Sequence, residues 1–168
     1  MIKLHNADCL EAMRLMDDDS FELAIVDPPY GIGMDGGKIG KNHFKKKDWD
    51  NTTPSLEYFT ELFRVSKNQI IWGANHFTKY IPPSRGWVYW DKLTNKKGHM
   101  FGKTFSSGEL AYTSFDFILS HFEYKWQGNY VGYPNEITTR SKRVEDIKIH
   151  PTQKPVALYE WLLEKYAK

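Results

Sequence analysis

Two hydrophobic periods run through this chain. Continuous apolar or alternating runs predict strands over residues 2–6 ("IKLHN"), 21–26 ("FELAIV"), 68–73 ("NQIIWG"), 86–90 ("GWVYW"), 109–115 ("ELAYTSF") and 121–126 ("HFEYKW"). The unbroken apolar character of 21–26 reads as a buried strand. Helical spacing predicts a helix over 9–16 ("CLEAMRLM"), with Leu10, Met13 and Met16 on one side. Thr53 as N-cap and Pro54 in the first turn open a second helix, "PSLEYFTELFRV". The chain closes with "VALYEWLLEKYAK", where Val156, Tyr159, Leu162 or Leu163, and Tyr166 share a face.

Strands alternate with helices in the first half and crowd together afterwards. That order predicts an α/β sheet, parallel at first, with an antiparallel hairpin towards one edge. No linker divides the 168 residues, which suffice for one domain with a real core. Residues 31–53 show no periodicity and are rich in glycine and lysine. A connection of that length is usually functional or mobile. Two further polar stretches, "KLTNKKGHMFGKTFSSG" and "PNEITTRSKRVEDIK", separate the later elements.

Composition changes this picture only locally. Hydrophobic and charged shares of 40% and 26% are ordinary for a globular chain. Aromatic residues reach 15%, more than a core needs, so stacking surfaces for flat ligands are a second reading. The net charge of +2 gives no global polybasic signal, and nucleic-acid binding would have to rest on local patches. A single cysteine, Cys9, excludes an intramolecular disulfide and reads as a small buried residue. The N-terminus lacks the features of a secretory leader, and no apolar run is long enough for a membrane span. The chain therefore reads as soluble and cytoplasmic.

The most informative stretch is "FELAIVDPPYGIG" (21–33). A strand that ends in an acid, two prolines and a tyrosine holds a stiff backbone beside two functional side chains. The Asp27 carboxylate and the Pro28 carbonyl can each accept a hydrogen bond from an amino group, and Pro29 offers no competing N–H. Tyr30 can lay its ring on a flat substrate. Together they form a clamp for an amine carried on an aromatic ring. Binding its protons at two acceptors favours a tetrahedral nitrogen and stabilises the charge that forms as it attacks an electrophile. A plain strand-ending turn with a packed tyrosine is the competing account. "GIGMDG" (31–36) fits the dinucleotide fingerprint, but no amphipathic helix follows, so a flexible loop explains these glycines better. Histidines and the lone cysteine show no metal-ligand spacing, and no serine stands in a nucleophile elbow.

Asp27-Pro28-Pro29-Tyr30, followed at a distance by "HPTQKP" (150–155) and a helix, resembles the amino-DNA methyltransferases that use S-adenosylmethionine. The order of the two motifs is the permuted order of their beta group. "NADCLEAM" and "WDK" (90–92) also look like family segments, so the resemblance spans the chain. It implies a Rossmann-like methyltransferase sheet in a single catalytic domain over 1–168, with a variable DNA-recognition region at about 93–148. It also implies that double-stranded DNA is the partner and that the target base is flipped into the site. Asp27, Pro28, Pro29 and Tyr30 would then bind and activate the base.

By the same resemblance Asp8 would contact the adenine part of the cofactor, although a helix N-cap is an equal alternative. His150, Thr152, Gln153 and Lys154 would lie near its methionine end, with a solvated lysine as the alternative for Lys154. Lys45, Lys46, Lys47 and Trp49 could grip phosphates and cover a flipped base, or form a solvated charge run. Arg140 and Arg143 fall in the variable region. Trp90 and Lys92 would wall the base pocket, with a core position as the other reading of Trp90. An acid in the first motif position favours adenine N6 over cytosine N4.

In the family, the "HPTQKP" helix leads into a strand and a glycine-rich cofactor loop. Two strands from that part stand between those matching 2–6 and 21–26. The expectation is a sheet lacking two central strands and a chain that alone binds S-adenosylmethionine weakly or not at all. A truncated product, a partial sequence and half of a split enzyme are the open explanations. The partners implied are a homodimer mate or a complementing C-terminal chain, and a cognate restriction enzyme. The rival class is a non-catalytic remnant that binds nucleic acid or pairs with a partner.

Overall fold

The computed structural model describes residues 1–39, 42–94, 106–127, 130–139 and 149–167. Its elements are α1 (Cys9–Arg14), β1 (Ala24–Val26), β2 (Gly37–Ile39), β3 (Asn42–Phe44), α2 (Leu56–Val65), β4 (Gln69–Trp72), β5 (Trp87–Asp91), β6 (Gly108–Thr113), β7 (Ser120–Glu123), β8 (Lys125–Gln127), β9 (Tyr130–Gly132), β10 (Thr138–Thr139) and α3 (Val156–Tyr166). The class is mixed α/β. Five strands form a mixed sheet in the order β1-β4-β6-β5-β7; β8, β9 and β10 form an antiparallel sheet, and β2 and β3 an antiparallel pair.

Within the five-stranded sheet β1 runs parallel to β4 and β5 parallel to β7, while β6 is antiparallel to both β4 and β5. Four strands thus point one way. The reversed strand lies inside the sheet, not at an edge as the sequence predicts. β5 and β6 do form a hairpin-like pair, but β6 inserts between β4 and β5 and so covers the inner edge of β4.

Side-chain alternation builds two cores, one on each sheet face. Ile70, Trp72, Val88, Trp90 and Phe122 face α3, which contributes Leu158, Leu162 and Tyr166. Ile71 and Tyr112 face the other way, against Phe59, Leu62 and Val65 of α2 and Met13 of α1. β1 follows the same rule, with Leu23 and Ile25 packing on the first cluster and Ala24 and Val26 on the second. The buried face of α3 is therefore Leu158, Leu162 and Tyr166 at i, i+4, i+8. Val156 and Leu163, expected on that face, are each 49% exposed.

Several local expectations shift. α2 is capped by Ser55, whose hydroxyl accepts from the Tyr58 amide at 3.3 Å, not by Thr53. α1 begins at Cys9, which is exposed rather than buried. Residues 2–6 form no strand: Ile2 and Leu4 are 90% and 94% exposed, and among the described residues no strand pairs with them. Among the described residues β1 has a partner on one side only, and it is half-buried, not buried. Residues 31–53 hold the β2–β3 pair. The run 121–126 divides at Tyr124 between two sheets. Among the described residues no helix is long and apolar enough to cross a membrane.

Candidate functional site

β1 ends at Val26 and delivers Asp27 to the carboxyl edge of the sheet, where ligands of open α/β sheets bind. The same edge receives Lys154, which precedes Pro155 and α3. Proline forces the residue before it into extended backbone, which aims Lys154 away from the helix axis. The approach to Lys154 is fixed by Gln153. Its carbonyl accepts from Trp126 Nε1 at 2.6 Å, and its side-chain oxygen accepts from the Ile149 amide at 2.8 Å.

The two sequence motifs meet here. Lys154 Nζ lies 2.6 Å from Asp27 Oδ1 and 3.1 Å from Glu109 Oε2, and donates to the Tyr30 hydroxyl at 3.1 Å. Its ammonium also sits 5.4 Å from the ring centre of Trp72 and 5.5 Å from that of Tyr30. Lys154 is buried, with its side chain only 3% exposed. Burying an ammonium costs several kcal/mol unless opposite charges face it, and here two carboxylates do. The solvated reading of Lys154 is thereby replaced.

Glu109 comes from the start of β6, opposite Trp90 in the β5–β6 register. Lys92 holds its other oxygen, Oε1, at 2.5 Å, and Lys92 lies 4.9 Å over the Trp90 ring. Burial pushes the Glu109 carboxyl up, but the ammonium groups of Lys154 and Lys92 outweigh it and hold the group at about 2. It is therefore an anion at every pH near neutrality.

Tyr30 donates to Asp27 Oδ1 at 2.8 Å, with Glu109 Oε2 at 3.4 Å. Burial, then the charges of Asp27 and Glu109, push its phenol far above the ordinary value, so it stays a donor. The ring does not offer a free face as the sequence suggests. His76 stacks on it at 5.2 Å, Phe77 meets it edge-on, and Gly73 packs against it. Gly73 has φ +67, and a Cβ there would come 2.1 Å from Tyr30 Cε1, so only glycine fits. Hydrogen bonds to Asp27 converge on Oδ1, and among the described residues none is made to Oδ2 or to the Pro28 carbonyl. Two acceptors of the expected clamp thus remain open.

The loop after Tyr30 is organised by a residue the sequence reading passed over. Asp50, 2% exposed, accepts from the amides of Tyr30 and Gly31 at 2.8 and 2.9 Å and from that of Met34 at 2.7 Å. Gly31 and Gly33 take positive φ to turn these amides inward. The glycine-rich segment, expected to be a flexible loop, folds around the chain's own carboxylate.

An open cleft of about 640 Å³ lies in front of Asp27, lined by Pro29, Lys47, Trp49, His150, Thr152, Lys154 and Tyr159 among others. Trp49 and His150 form a tilted aromatic pair at 5.5 Å, and His150 Nδ1 lies 3.1 Å from the Thr152 hydroxyl. Tyr159 is pushed up to about 12 by burial, then by Asp27 and Glu109. Asp27, Pro29, Lys47, Trp49, His150, Thr152, Gln153 and Lys154 are therefore gathered at one place.

Other candidate residues lie elsewhere. Asp8 caps α1, accepting from the amides of Leu10 and Glu11 at 2.9 and 3.1 Å. Lys45 and Lys46 are exposed beside the β2–β3 pair. Of the two readings of Trp90, the structure has the core one: it is 1% exposed, and its Nε1 donates to the Tyr124 carbonyl at 3.1 Å. It cannot wall a pocket from there. Lys92 is paired with Glu109 rather than open to a phosphate. Arg140 and Arg143 lie outside the described residues.

Asp91, His121 and Glu123 bring potential metal-ligand atoms within 4.8 Å of one another at the β5–β7 edge. A strand H-x-E pair opposite an acid in register creates this group, and scanning for helical or loop spacing misses it. Lys125 is also buried, donating to the Leu93 carbonyl at 2.9 Å, and burial lowers its pKa against the opposing charge of Asp91. A lone charge inside a buried strand run is the signal that could have found both Glu109 and Lys125. No protein-family model matches the chain, and a search of curated proteins finds no match.

Proposed function

We propose that this protein clamps the exocyclic amine of a DNA base and transfers a methyl group to it from S-adenosylmethionine, with adenine N6 as the favoured acceptor. The observation that carries the reading is the contact between Lys154 and Asp27, which joins the "DPPY" and "HPTQKP" segments around one cleft. Asp27 Oδ2 and the Pro28 carbonyl are the two acceptors for the amine. Trp49 and His150 supply aromatic surface beside them, and Lys47 with the neighbouring Lys45 and Lys46 supplies charge for the phosphates. Tyr30 acts through its hydroxyl on Asp27 and not as a stacking platform. Cytosine N4 is the alternative acceptor, since both amines present the same donors to the clamp. Double-stranded DNA is the partner, S-adenosylmethionine the cofactor and the cytoplasm the location under this reading.

The chemistry needs no base before bond formation. S-adenosylmethionine, when bound, would supply an electrophilic methyl group with a neutral thioether as its leaving group, and the clamp would hold the amine lone pair towards it until the surplus proton passes to solvent after transfer. Asp27 stabilises the positive charge that develops on nitrogen.

The test is a transfer assay with methyl-labelled S-adenosylmethionine and unmethylated duplex DNA, followed by digestion to nucleosides. Label in N6-methyladenine is the expected result, and Asp27→Ala lowers the rate by roughly 100-fold or more while DNA affinity persists. Full turnover in that variant, or label in no base even when a complementing chain is supplied, overturns the reading.

One observation favours a second arrangement. The outer edge of β1 is unpaired among the described residues, and Ile2 and Leu4 are exposed. A complementing chain that adds strands to this edge would complete the sheet. Label that arises only when such a chain is supplied would establish that arrangement in place of the single-chain one.

A further inference from the structure

We infer that Glu109, held by Lys92, is a positioning residue of the site: it keeps Lys154 and Tyr30 together on one oxygen of Asp27, so that the other oxygen is presented to the ligand amine. The inference rests on the amine-clamp reading, but its geometry is independent of that reading. Glu109 carries no motif and lies in a strand whose neighbours Leu110 and Ala111 suggest nothing but packing.

Lys154 and Tyr30 are the only described groups in contact with Asp27 Oδ1, at 2.6 and 2.8 Å. Both also approach the same oxygen of Glu109, Oε2, at 3.1 and 3.4 Å. The remaining Glu109 oxygen is taken by Lys92 at 2.5 Å. Each member is thus tied at two points, and the Glu109 carboxylate is the junction from which the ties radiate. The rings of Trp72 and Tyr30 flank the ammonium and limit where it can swing.

Without Glu109 the Lys154 ammonium has one carboxylate in place of two. Both oxygens of Asp27 then become equally good partners for it, and the ammonium competes for the oxygen the ligand needs. A catalytic geometry defined to a fraction of an ångström is lost without any change in the residues that touch the ligand. Glu109→Gln keeps the shape and removes the charge, whereas Glu109→Asp keeps the charge and shortens the reach.

The experiment has two arms on the full chain. In the first, lysines are acetylated with limiting acetic anhydride and the rate at each site is read by peptide mass mapping. Wild type modifies Lys154 slowly relative to exposed Lys45 and Lys46. Glu109→Gln raises the Lys154 rate by about tenfold, Glu109→Asp restores most of the protection, and Lys125, buried elsewhere, does not change. An unchanged Lys154 rate overturns the inference. So does an equal rise at Lys125, because it reports general loosening.

In the second arm, Glu109→Gln lowers methyl transfer at saturating DNA by roughly 100-fold with KM for DNA unchanged. A wild-type rate in the variant overturns the positioning role. If wild type itself transfers no methyl group even when a complementing chain is supplied, the methyltransferase reading fails, and the acetylation arm alone decides the inference.

Discussion

Asp27 and Asp50 hold opposite ends of the same tyrosine. Asp50 accepts the backbone amide of Tyr30, and Asp27 accepts its hydroxyl. Asp50 is closed off, 2% exposed and bonded through both oxygens to backbone amides. Asp27 keeps one oxygen without a hydrogen bond from any described residue and faces a cleft. The first acid shapes the loop, while the second is shaped by its neighbours and left available. Acidity and motif position do not separate a structural carboxylate from a functional one; what separates them is how many of the acceptor sites are already filled.

The largest effect follows from emptying the closed site. Asp50→Ala strands three backbone amides of a partly exposed loop around a buried acid and costs about 4 kcal/mol, read as a fall in urea midpoint. A loss below about 1 kcal/mol would show that the loop does not depend on this acid. Asp27→Ala, for comparison, changes stability far less than it changes transfer.

Next comes the contact that seats the tyrosine between the two acids. Gly73→Ala forces a Cβ into the Tyr30 ring at a backbone angle unsuited to side chains, and costs about 3 kcal/mol. Denaturant melts measure it, and an unchanged midpoint would mean that Tyr30 can move aside freely.

A smaller effect concerns the acid between Lys154 and Lys92. Glu109 is held at about 2 in the fold, against an ordinary 4.5. A depressed carboxyl contributes stability that is complete above the unfolded value and is lost as pH falls towards the folded one. Stability between pH 5 and pH 2 therefore drops by at most about 3 kcal/mol on account of this residue. The acid limb should be flatter in Glu109→Gln. Identical limbs in the two proteins would show that the ion network does not stabilise the fold.

Much of this was legible beforehand, for reasons tied to particular residues. β4, β5 and β6 announce themselves as apolar runs, and α2 by its period, because burial on a sheet or a helix face imposes those patterns. The interior place of β6 is not written in any period, since strand order depends on pairings between distant segments. The strand expected at 2–6 fails because a strand needs a neighbour, and none of the described strands pairs with it. In the site, Asp27, Pro29, Trp49 and Lys154 were visible as chemistry-bearing residues, yet their mutual contacts were not. Asp50 stayed hidden because one acid in a polar loop looks the same whether it faces water or backbone amides, and for Glu109 the lone charge in an apolar strand run marks the residue without naming the cation it meets.

The hydrogen bond from Lys154 to Tyr30 joins residues 124 positions apart. Until that lysine arrives, Asp27 and Glu109 approach each other as two anions with only Lys92 nearby to offset them, so the sheet can pair its central strands but the clamp cannot close. Lys154 arrives as α3 docks, since only Pro155 separates the two. Loop closure over so long a span is entropically dear and is repaid only when the helix packs. The clamp is therefore a late event in folding, and on a ribosome it would remain open until nearly the whole of this sequence had emerged.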